Sequence, residues 1–161
     1  MTDRLQDGLR QATLDRVQSM HPETIGLLGE LLAIPSPTGS EAAAQAWVAE
    51  RYSELGLEVD VFDCDPEALG SLPGWSPSAS SYENRPNVVG VWKGTGGGRS
   101  LILNAHVDTV PSDPAELWTH DPWGATIEGD RMYARGAIDD KGGIVDILAA
   151  GPDIYEVSAG R

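Results

Sequence analysis

The run Leu101-Ile102-Leu103 restricts the fold more than any other stretch of the chain. Three large aliphatic side chains follow one another without the polar alternation of a half-exposed strand. Such a run is expected to form a strand buried on both faces. The remaining elements are read around it. Leu5, Leu9, Ala12 and Val17 fall roughly on one face of an N-terminal helix. Pro22 stands near the start of a second helix, where its missing N–H costs little. Ile25, Leu28, Leu31 and Leu32 supply that helix's apolar stripe, and it ends near Ile34 because Pro35 and Pro37 cannot continue it.

A third helix is expected after Ser40, a favourable N-cap, with Gly56 closing it. Leu57 to Phe62 alternate apolar and acidic residues and predict a strand with one wet face. Residues 64–86, rich in Pro, Ser and Gly, read as a long loop. Asn87 to Trp92 read as a second strand, and Gly94 to Gly98 as a tight turn leading to the apolar one. A short pair is expected at Ala125–Glu128 and Arg131–Ala134, joined by Gly129-Asp130. A last helix starts at Lys141 and breaks at Gly151-Pro152. Helices, then a hairpin-like middle, then a helix give an α/β layer architecture, with a mixed sheet flanked by helices.

Composition limits the functions open to this chain. With 161 residues, 40% of them hydrophobic, it can bury one core. No apolar run approaches the ~18–20 residues of a membrane span, and Met1 to Met20 lack an apolar signal core. Cys64 is the only cysteine, so no internal disulfide forms, and together these features favour the cytoplasm. A net charge of −14 argues against nucleic acid as a partner. Solubility explains the acidity in general, while a few carboxylates in the right places would bind metal.

Two places could carry that chemistry. His106-Val107-Asp108 directly follows the apolar run. In extended backbone His106 and Asp108 point to the same side, so the carboxylate can orient the imidazole of a metal ligand. A histidine merely hydrogen-bonded at a strand end fits the same three residues. The second place is Arg135 to Gly143, where Asp139 and Asp140 precede a helix. Helix capping explains adjacent aspartates there, and on local grounds explains them better than metal binding. The glycines fit neither a dinucleotide nor a Walker loop, and the aspartates lack EF-hand spacing. His120, between Trp118 and Trp123, reads as loop packing, and His21 as exposed. Cys64 has no activating base, and Ser36 and Ser40 lack a nucleophile elbow. Trp47, Trp75 and Trp92 read as packing residues.

Together the two places resemble a known family. Leu101 to Pro111 is similar to the first signature, and Tyr133 to Gly143 to the second, of the co-catalytic zinc metallopeptidases and deacylases. That family includes acetylornithine deacetylase, succinyl-diaminopimelate desuccinylase, aminoacylase and carboxypeptidase G. Trp118 to Gly124, Ile34-Pro35-Ser36, Leu55-Gly56-Leu57 and Arg85 to Val89 extend the likeness over residues 25–150. The resemblance implies the N-terminal portion of a zinc-exopeptidase-like catalytic domain across residues 1–161. It implies two divalent metal ions, zinc first, with cobalt or manganese as alternatives. His106 would bind one metal, Asp108 would hold His106 as part of the catalytic group, and Asp139 would bridge both ions across a cis bond to Asp140.

The implied substrate is a small N-acyl amino acid or peptide, cleaved at its amide bond. Family members carry, further along, a Glu-Glu pair, another acidic ligand, a distal histidine and an inserted dimerisation domain. No Glu-Glu pair follows residue 143 here. The chain alone is therefore expected to bind metal weakly and to hydrolyse little, with a homodimer belonging to the full-length form. The alternative is a non-catalytic remnant, or an interaction module that pairs with another chain.

Overall fold

A computed structural model describes residues 2–76, 81–94 and 96–158, and shows a mixed α/β arrangement. Helix α1 (Thr2–Leu32) leads to α2 (Ala42–Glu54), strand β1 (Glu58–Phe62), the one-turn helix α3 (Pro66–Leu69) and strand β2 (Asn87–Val91). A 3-10 turn at Ala115–Leu117, the short pair β3 (Thr126–Glu128) and β4 (Arg131–Tyr133), and α4 (Lys141–Ser158) complete the order.

The core lies where α1, α2 and α4 meet the segment that carries Val107. Leu31, Ala44, Val48, Val107, Ile144, Val145 and Leu148 are buried together there. Helix α2 ends as expected, with Gly56 at φ 77° and the Leu57 amide returning to the Tyr52 carbonyl at 3.1 Å. That reversal lays β1 antiparallel to β2, pairing Glu58 with Val91 and Phe62 with Asn87. Gly90 is required in this packing, because a Cβ there would stand 2.5 Å from Leu57 and 2.6 Å from the Tyr52 ring. The β3–β4 pair turns at Gly129, φ 63°, as the sequence predicts.

Several expectations need correction. The two N-terminal helices are one, running through Pro22. An interior proline costs about 3 kcal/mol in a helix; the hydroxyls of Ser19 and Thr24 donate to the carbonyls of Arg16 and Met20 on either side of it. Glu41, not Ser40, precedes α2; it makes no side-chain cap, its carboxylate being engaged instead by Arg85 and by the Gly39 amide. The long loop contains α3, capped by Asp65 accepting from the amides of Glu67 and Ala68; its residues 77–80 lie outside the described residues. In the glycine-rich turn Gly96 and Gly97 take φ 87° and 79°, while Thr95 lies outside them.

Helix α4 does not break at Gly151-Pro152. Tertiary packing overrides the local breaker: the Trp92 ring lies so close that a Cβ on Gly151 would meet it at 2.7 Å, and Asp153 pairs with Arg16 of α1 at 2.8 Å. Residues 159–161 of the tail, and the side chains of Leu5 and Glu156, lie outside the described residues.

The largest correction concerns Leu101–Leu103. They join no ladder among the described residues, and are 66%, 87% and 44% exposed. A strand is buried only when neighbours cover it, and β1 and β2 pair with each other while β3 and β4 form a separate two-stranded sheet. The parallel pairing found is an isolated bridge between Pro37 and Thr109. From Ala105 onward, however, burial alternates: Val107 and Thr109 are buried, His106 is exposed and Asp108 half-buried.

Candidate metal centre

That alternation sets the first half of the site. Val107 is anchored in the core, so His106 and Asp108 are turned to the opposite face of the same extended segment. His106 Nδ1 lies 3.0 Å from both the backbone carbonyl and Oδ1 of Asp108. The other oxygen of Asp108 accepts from the Thr38 hydroxyl at 3.1 Å. The second half arrives from the turn before α4. His106 Nε2 lies 2.9 Å from Oδ1 of Asp139, 33 residues further along. Gly136, at φ 82°, allows that turn to approach, since a Cβ there would stand 2.7 Å from Thr109 Cγ2. Gly142 and Gly143 let it fold onto the helix start, where a Cβ would meet the Ala137 carbonyl and the Asp140 carboxylate. The Asp139–Asp140 peptide is cis.

The two sequence candidates are thus brought together, His106 between Asp108 and Asp139. Both ring nitrogens face acceptors only. A neutral imidazole has a single N–H to donate, so one side of the ring is satisfied only when a further positive charge, a proton or a cation, lies between nitrogen and carboxylate. Burial lowers the proton affinity of His106, but the Asp139 hydrogen bond, the Asp108 carbonyl and both carboxylate charges outweigh it and hold the imidazole above its ordinary value. An imidazole nitrogen and a carboxylate oxygen side by side suit a divalent cation of intermediate softness. They supply two donors. Asp108 is turned to Nδ1, and no group of three or more His, Cys, Asp or Glu suited to a metal occurs among the described residues.

A cavity of about 780 Å³ opens beside the pair, lined by His106, Asp108, Asp139, Trp118, His120 and Arg135 among others. His120 packs on the Tyr133 ring, centroids 4.5 Å apart, as its loop position suggests. Arg135 stacks over Trp118 at 4.8 Å. Sequence reasoning gave no role to three supporting groups. Lys141 is fully buried, its ammonium donating to the carbonyls of Leu31 and Ile34 at 3.0 and 2.6 Å. Burial pushes it down to about 8. Arg85 and Glu41 form a shielded ion pair at 2.7 Å behind the Thr38 loop. Buried Ser36 donates to the Val107 carbonyl at 2.7 Å. A lone lysine opening an apolar helix was the available signal for the first. Ser36 and Arg85 lie in stretches that carry the family likeness, but nothing local pointed to their partners, which lie 71 and 44 residues away.

Residues 102–157, which contain both halves of the site, match the model of peptidase family M20/M25/M40. A succinyl-diaminopimelate desuccinylase of Leptothrix cholodnii is 30% identical over 131 residues, covering 81% of this chain and 31% of the relative. The chain belongs to the M20/M25/M40 peptidase family. Two further members are N-formyl-4-amino-5-aminomethyl-2-methylpyrimidine deformylases. That of Halalkalibacterium halodurans is 34% identical over 142 residues, 85% of this chain and 29% of the relative. That of Bacillus subtilis is 32% identical over 148 residues, 89% of this chain and 31% of the relative. The chain therefore spans about a third of the length of the curated family members it matches. Among the described residues no helix is long and apolar enough to cross a membrane.

Proposed function

We propose that residues 1–161 are the first part of the catalytic domain of a metal-dependent amide hydrolase acting on N-acyl amino acids or peptides. The observation that carries this reading is His106 held between Asp108 and Asp139, an imidazole with acceptors on both sides. In this reading His106 and Asp139 are metal ligands, Asp139 is shared between two divalent ions, and Asp108 keeps the imidazole oriented. Zinc is the first choice, with cobalt or manganese able to replace it. When bound, such ions acidify a water and polarise the scissile carbonyl. The chain's own residues orient the ligands and form one wall of the substrate cavity.

The desuccinylase and deformylase relatives support removal of a small acyl group from an amine. The cytoplasm, favoured by the single cysteine, is the compartment proposed for it. Their greater length supports a division of labour. The general base, the remaining ligands and an inserted dimerisation domain would come from sequence beyond the residues present. On this reading the 161-residue chain binds metal weakly and does not turn over substrate. Zinc titration by calorimetry tests it, with His106→Ala and Asp139→Asn expected to abolish the heat. Undiminished zinc binding by His106→Ala would remove the role given to that residue. The exposure of Leu101–Leu103 favours a second reading, a module that pairs with another chain. A folded, monomeric chain that takes up no metal at saturating zinc would favour it, and zinc binding at His106 would count against it.

A further inference from the structure

Both halves of the site are fastened to one stretch, residues 31–38. The His106 half is stitched to it chiefly by the following bonds, all of 3.1 Å or less. Ser36 Oγ donates to the Val107 carbonyl at 2.7 Å, and the Thr109 amide to the Ser36 carbonyl at 2.9 Å. The Thr38 amide donates to the Thr109 carbonyl at 3.1 Å, and its hydroxyl to Asp108 Oδ2 at 3.1 Å. The Asp139 half is tied to the same stretch by Lys141, through the carbonyls of Leu31 and Ile34. Leu31 is in the last turn of α1, where its carbonyl also accepts from the Ile34 amide at 3.3 Å, and Ile34 lies two residues beyond the helix, at the end whose dipole favours a cation.

An ammonium buried on carbonyls is an expensive way to cap a helix. A lysine reaching in from solvent caps as well without desolvation. Here the ammonium is fully buried, lies 5.5 Å from the Trp123 ring, and belongs to a residue two positions after Asp139. Its backbone amide also closes the turn onto the Gly136 carbonyl at 3.1 Å. The side chain therefore transmits the position of α1's end directly to the Asp139–Asp140 turn.

We propose that Lys141 is a positioning residue: it clamps the Asp139 turn to the end of α1, which also carries the His106 segment, and so sets the separation of His106 and Asp139. Its consequence for metal binding rests on the reading above; its consequence for geometry does not.

The test uses the 161-residue chain, isotope-labelled and metal-free, with nuclear Overhauser contacts between the His106 ring and the Asp139 β-protons as the readout. Lys141→Met is compared with Leu148→Ala, a core variant that lowers stability but removes none of the hydrogen bonds to residues 31–38. Wild type and Leu148→Ala are expected to show the contact and Lys141→Met to lose it while remaining folded by circular dichroism. Titration with Co2+ alone is then expected to show at least tenfold weaker binding by Lys141→Met and little change in Leu148→Ala. Retention of the contact in Lys141→Met, with Co2+ affinity within twofold of wild type, overturns the proposal. Loss of the contact in Lys141→Met, in a protein whose wild type shows no Co2+ effect at His106, upholds the clamp and removes the metal reading instead. Should Lys141→Met not fold, Lys141→Arg, which keeps the charge on a longer side chain, is expected to weaken the contact and to bind Co2+ at least threefold more weakly. Values unchanged from wild type would overturn the clamp.

Discussion

Arg85→Met isolates the ion pair that braces the Thr38 loop. In the native protein the Arg85 guanidinium meets both carboxylate oxygens of Glu41 at 2.7–3.1 Å. The two side chains are 15% and 6% exposed, so water screens them little. Methionine fills much of the same volume but leaves the Glu41 carboxylate with backbone amides alone as donors, that of Gly39 at 2.8 Å and its own. Removing one partner of a shielded pair costs about 3 kcal/mol, because the remaining charge stays desolvated. At a urea m-value of about 2 kcal/mol/M, the midpoint falls by roughly 1.5 M. The pH dependence gives an independent check. Burial pushes the Glu41 carboxyl up, but the Arg85 and backbone hydrogen bonds outweigh it and hold the group below its ordinary 4.5. A depressed carboxyl contributes stability that is present above pH 4.5 and lost as pH falls through the folded value. The gap between wild type and Arg85→Met should therefore be widest at neutral pH and narrow as the pH falls below 4.5. Urea unfolding at pH 7 and at pH 3.5 measures both points. A midpoint within 0.3 M of wild type at pH 7, or a gap that does not narrow in acid, would refute the reasoning.

Gly136→Ala should cost about 2 kcal/mol, since alanine is strained at φ 82° and its Cβ would press on Thr109 Cγ2. Adding Thr109→Ser, which removes that methyl, should recover part of the loss in a double-mutant cycle, and strict additivity would show that the clash contributes nothing. Arg16→Ala should change stability by less than about 0.5 kcal/mol, because its pairing with Asp153 lies on an exposed surface; a loss above 1 kcal/mol by urea titration would give this long-range link a larger part in docking α4.

Elements with local causes were legible in the sequence. Gly56 ends α2 and Gly129 turns β3 into β4 because each adopts a conformation that glycine reaches cheaply. The pairing of His106 with Asp108 was legible too, since two residues on one extended segment share a side by geometry alone. What failed were inferences in which a local signal competes with packing. Pro22 and Pro152 both signal boundaries, yet both lie inside helices. At Pro152 it is the packing of Trp92 against Gly151 that holds the helix together past the proline, the exposed Asp153–Arg16 pair adding little.

Leu101–Leu103 shows the same limit from the other side. Apolarity states what a segment would gain by burial, not whether neighbouring strands exist to bury it. The residues that fix His106 in space are correspondingly not in its own apolar run. They are Ser36 and Thr38, about 70 residues earlier, and nothing in their sequence neighbourhood names Val107, Asp108 or Thr109 as partners. The segment carrying His106 is thus aligned by a turn after α1 rather than by a sheet. The precision of the site then depends on how firmly that turn is held, which assigns to Glu41, Arg85 and Lys141 a role beyond stability. Loss of any of them should loosen the contact between His106 and Asp139 before it unfolds the core around Leu31 and Val145.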